Sequence, residues 1–160
     1  MQPHRQMRVR SATAYGVAML LASAYCVLHS LSELPLAVGV AALSVLSAAA
    51  IGYVLGGWYL RSGSEQPTFE LVAVPILAFL GGPLVGASLF MLGAVLFSQP
   101  GATENPIVAV YLSVPMTMAY ISLSWPVALP VFAAAAIAMA RFSRQGSNNS
   151  SKPTPLRGAA

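Results

Sequence analysis

His29 and Glu33 stand four residues apart, the spacing at which two side chains meet on one face of a helix. An imidazole that titrates near neutral pH, beside a carboxylate, could pass protons or hold a cation at a membrane surface. Pro35 follows within two residues and is set to end any helix there. The pair therefore belongs at an interface, where charge costs less than in mid-membrane, and two ligands are too few for a dedicated metal site. Glu70 is the third candidate for polar chemistry. It lies one residue inside the apolar run that begins at Phe69, where a helix dipole favours a carboxylate and where a gate on a cytoplasmic vestibule would also sit.

Cys26 is the only cysteine, which excludes an intramolecular disulfide, a CxxC redox pair and a cysteine-rich metal site. The chain contains no GxxxxGK[ST], HExxH or GxSxG motif, the patterns that would signal phosphate binding, zinc hydrolysis or a serine nucleophile. With two histidines, four acidic residues and one cysteine, a general acid/base pair or a nucleophile–base dyad is hard to assemble. The sequence argues against an enzyme and gives no reason to expect a cofactor.

The elements that must position these residues follow from composition. Of 160 residues, 57% are hydrophobic and 8% charged, with a mean hydropathy of +0.72. Soluble domains carry about 25% charged residues, so the solvent implied here is a bilayer. The net charge of +4 is no sign of nucleic-acid binding, because the basic residues flank long apolar runs rather than forming a patch interleaved with aromatics.

Four apolar runs predict an all-α integral membrane protein, a bundle of four transmembrane helices spanning about 12–31, 36–60, 71–97 and 120–140, each near the roughly 20 residues a crossing needs. The first run is too long for a cleaved signal core and is followed at once by a second span, which marks it as an anchor. The last apolar stretch, from Pro106 to Ala140, is too long for one straight crossing and short for two. Charge decides between them. With four spans and a cytoplasmic N-terminus, Arg5, Arg8, Arg10, Arg61, Arg141, Arg144, Lys152 and Arg157 all face the cytoplasm, while the outer loops hold Glu33 and Glu104 and no Lys or Arg. Both termini are then cytoplasmic, and 106–118 is left as an outer interfacial or re-entrant segment. Pro75 and the 81–83 Gly-Gly-Pro would kink the third helix, and Pro126 and Pro130 the fourth. Residues 1–142 thus form one membrane domain, and the polar 143–160, rich in Ser, Asn and Pro, reads as a disordered cytoplasmic tail.

Small residues recur every four positions: Ala14, Ala18 and Ala22, continued by Cys26, in the first span; Ser44, Ala48, Gly52 and Gly56 in the second; Ala78, Gly82 and Gly86 in the third. Such stripes let two backbones approach closely, the main route to association where lipid supplies no hydrophobic drive. They serve packing within the bundle, docking of another membrane protein or of a second copy, or both. The expected function is therefore non-catalytic: an inner-membrane, multi-pass protein acting through helix–helix contacts, either an accessory subunit or an immunity-type protein against a membrane-active toxin. The alternative is a small homo-oligomeric channel or transporter for a neutral solute, lined by the hydroxyls of Ser44, Ser47, Ser88, Ser113, Thr117, Ser122 and Ser124.

Overall fold

The structure is a computed structural model that describes residues 3–29, 34–61, 68–97 and 105–150, with side chains over 5–29, 36–59, 72–97 and 105–143. It is all-helical. In chain order the helices are α1 (Pro3–His29), α2 (Leu34–Leu55), the single-turn α3 (Trp58–Arg61), α4 (Thr68–Leu96) and α5 (Pro106–Ser150). Among the described residues, four helices, α1, α2, α4 and α5, are long and apolar enough to cross a membrane. In lipid a segment must satisfy its backbone within itself, which is why each apolar run folds as a helix.

The four long helices form a ring in which α1 packs on α2, α2 on α4, α4 on α5 and α5 back on α1. Neighbours run antiparallel. At one end Arg8 lies against Gly57 and the Arg10 guanidinium sits 4.9 Å from the centre of the Phe142 ring. The start of α1, the end of α2 and the Arg141 end of α5 therefore lie together. The opposite end holds His29, the start of α2, and the Leu96 and Pro106 ends of α4 and α5.

Gly56 and Gly57 form a turn between α2 and α3, consistent with the cost of glycine in a helix interior. The short α3 then brings Tyr59 under the bundle, where its hydroxyl meets that of Tyr15 at 2.5 Å. Tyr15 also stacks on Phe132, with centroids 6.0 Å apart, and Phe79 packs on the same ring at 5.4 Å. This aromatic group, with Met19, Val74, Ala78 and Met139, is the centre of the core.

Helix α4 continues through Pro75 and Pro83, and α5 through Pro115, Pro126 and Pro130. Helix α5 runs unbroken through both 106–118 and 120–140, and on to Ser150. The physical reason is cooperativity: each proline removes one backbone donor, whereas unwinding a turn in lipid would free several groups, and extending an existing helix costs less than starting one. At about 1.5 Å per residue its 45 residues reach about 68 Å.

Candidate functional site

The small-residue stripes face one another inside the bundle. Ala18, Ala22, Ser44, Ala48 and Ala78 are at most 1% exposed; Gly52, Gly56, Gly82 and Gly86 are buried, and Ala14 is half-buried. Their contacts are with other helices of this chain. A Cβ on Gly52 would lie 2.9 Å from the Ser11 carbonyl oxygen, and one on Gly56 2.8 Å from the Ser11 Cβ. On the next seam, a Cβ on Gly82 would meet the Met19 Cε at 2.8 Å and the Ala48 Cβ at 3.0 Å, while one on Gly86 would fall 2.5 Å from the backbone nitrogen of Ser44. At these glycines α1, α2 and α4 approach so closely that an added Cβ would collide with the next helix. Within this seam the Ser11 hydroxyl is buried without a hydrogen-bond partner among the described residues.

Helix α5 is attached differently. Besides the apolar packing of Ala128, Phe132 and Met139 in the core, it makes hydrogen bonds across to α1 and α4. Tyr120 Oη lies 2.5 Å from Ser23 Oγ and 3.5 Å from Met19 Sδ, so Ser23 can donate to Tyr120 and Tyr120 to the thioether. The Cys26 thiol donates to the Tyr120 carbonyl at 3.7 Å. Towards α4, Ser113 Oγ meets Ser88 Oγ at 2.9 Å, and Thr117 Oγ1 reaches the Pro83 carbonyl at 3.5 Å. A buried hydroxyl on a membrane helix has protein groups as its only partners, which explains why these residues mark the faces where α5 meets its neighbours. Stripe spacing gives no hint of these pairs; the available signal was that a tyrosine within a span must find a partner for its hydroxyl.

The hydroxyls considered as a solute route mostly turn back on their own helices. Ser44, Ser88, Ser113 and Thr117 reach the carbonyls of Val40, Leu84, Val110 and Ser113 at 2.6 to 2.8 Å, and Ser124 that of Ile121 at 3.4 Å. Such back-bonding is common for Ser and Thr in membrane helices.

The polar candidates divide sharply. His29 is exposed at the end of α1, its Nδ1 2.9 Å from the Tyr25 carbonyl and its ring 4.2 Å from the Tyr25 ring, so its partners among the described residues belong to its own last turn. Glu33 lies outside the described residues. Glu70 falls in the first turn of α4, and only its backbone is described.

At the end of the bundle away from the arginines lies a cleft of about 240 Å³ between α1, α2 and α5, walled by Cys26, by Leu36, Ala37 and Val40, and by Met116, Ala119, Tyr120 and Leu123. Comparison of the chain with protein-family models, with curated proteins and with solved structures finds no match.

Proposed function

We propose that this chain is a non-catalytic protein of a cytoplasmic-type membrane, the bacterial inner membrane, that acts through helix–helix contact with another membrane protein. As an accessory subunit, or as an immunity-type protein shielding against a membrane-active toxin, it needs a surface rather than a reacting group. Both ends face the cytoplasm in this reading, because the arginines of α1 and α5 gather at one end of the bundle, as short cytoplasmic segments require.

The observation that carries the reading is the outer part of α5. Ile107, Val108, Val110, Tyr111, Leu112 and Val114 are all exposed, at 42% or more, and between 106 and 115 only Ala109 and Ser113 are buried. One narrow ridge, four residues in pitch, holds this part of α5 to the bundle. The other sides are exposed. In the most apolar 18-residue stretch of α5, 22% of the residues are buried, against 44%, 33% and 39% in α1, α2 and α4. The small-residue stripes are occupied within the chain, so partner contact in this reading belongs to α5 instead.

A photo-reactive amino acid at Tyr111 tests this in native membranes, with one at Leu46, 66% exposed on α2, as the control. Near-stoichiometric crosslinking of one membrane protein from 111 and not from 46 is expected. Lipid adducts alone at both positions would sink the reading. Adducts only with a second copy would favour the homo-oligomeric channel or transporter for a neutral solute, to be followed by a liposome flux measurement.

A further inference from the structure

We infer that the cleft between the outer ends of α1, α2 and α5 is a binding site for one acyl chain of a bilayer phospholipid. This does not depend on a protein partner. The argument starts from the walls. Leu36, Ala37 and Val40 line the space with Met116, Ala119, Tyr120 and Leu123 of α5. The two wall residues with polar side chains are already engaged, Cys26 with the Tyr120 carbonyl and the Tyr120 hydroxyl with Ser23. Most of what faces the space from the described residues is apolar.

Size and place select the occupant. At about 240 Å³ the cleft exceeds the roughly 150 Å³ of a cavity that stays dry and takes up benzene. The cleft opens at the side of the bundle, so it is filled from outside. All of its walls lie within the membrane-crossing lengths of α1, α2 and α5, and Leu36 and Ala119 on its rim are exposed. The molecule that reaches such a mouth is a lipid tail, not water. Cys26 and Val40, only 5% and 6% exposed, are out of reach of bulk lipid and report on a chain that enters.

The full chain reconstituted in phosphatidylcholine vesicles, doped with a phospholipid bearing a diazirine within its acyl chain, provides the test. After irradiation and peptide mapping, adducts at Cys26 and Val40 are expected to exceed, several-fold, those at the convex lipid-facing Leu46 and Leu129. The rim substitution Ala119→Trp should abolish the cleft adducts and leave Leu46 and Leu129 labelled as before. Ala37→Phe closes the opposite wall and gives the same readout should the tryptophan variant fail to fold. Adducts at Cys26 and Val40 no higher than at the convex positions, or cleft labelling unchanged by both substitutions, would overturn the assignment.

Discussion

The seam that joins α1, α2 and α4 and the faces that hold α5 solve the same problem in opposite ways. Lipid is as apolar as leucine, so neither region draws on a hydrophobic drive. The seam relies on proximity: glycines at 52, 56, 82 and 86 let backbone touch side chain and backbone of the next helix. Helix α5 combines hydroxyl contacts across to its neighbours with a core face of Ala128, Phe132 and Met139, and leaves much of its surface exposed. The difference teaches where each region tolerates change. A seam of close approaches cannot admit a methyl group, whereas a face held by hydrogen bonds loses little with any single one.

The sharpest way to break the comparison is Gly86→Leu. Its Cβ would lie 2.5 Å from the Ser44 nitrogen and 2.7 Å from its Cα, backbone atoms that cannot swing aside, and the expected loss is about 3 kcal/mol or more. Unfolding in bicelles followed by circular dichroism reads this directly; a variant as stable as the parent would remove the seam from the account. Phe132→Ala comes next. Phe132 is 3% exposed and packs on both Tyr15 and Phe79, so its removal leaves a cavity. In lipid only the cavity part of the usual cost applies, about 2 kcal/mol, measured in the same titration.

Thr117→Val keeps the shape and removes the contact with the Pro83 carbonyl. A loss of about 0.6 kcal/mol is expected, the average for a hydrogen bond between membrane helices. A loss as large as that of Gly86→Leu would erase the distinction between the two regions. The smallest effect belongs to Ser11→Ala. The Ser11 hydroxyl is buried and unpartnered among the described residues, so deleting it should leave stability unchanged or slightly higher, and a clear loss would reveal a partner for that oxygen.

Much of the bundle was legible in the sequence, and the reason is particular. Apolar runs bounded by Arg10, Arg61 and Arg141 announce spans because a bilayer admits only closed helices, and four-residue spacing at Ala48, Gly52 and Gly56 announces a packed face because only small residues permit contact at that distance. The orientation of α5 was not legible. In a soluble protein Val110 and Ser113 would differ in polarity according to the side they face, but in lipid the outer side is as apolar as the core, so the periodic contrast disappears. The pairs Tyr15–Tyr59 and Ser23–Tyr120 were hidden for another reason: 44 and 97 residues separate their members, and no local spacing encodes a meeting at that range. Continuity of α5 through three prolines was equally unreadable, since the same residues serve as bends, breaks or mere gaps in the ladder.

The ring of helices closes only between its first and last members. Ser23, Cys26 and Met19 wait on α1 for Tyr120 of α5, a residue that leaves the ribosome only after three of the four spans have been made. During synthesis, which runs from the N-terminus at about 5–20 residues per second, α1, α2 and α4 have several seconds in which to close their glycine seam before the fourth wall exists. Until α5 is made, the α1 groups that meet Tyr120 lack that partner. A chain stopped before residue 106 would lack it throughout, and is expected to keep the close approaches among α1, α2 and α4.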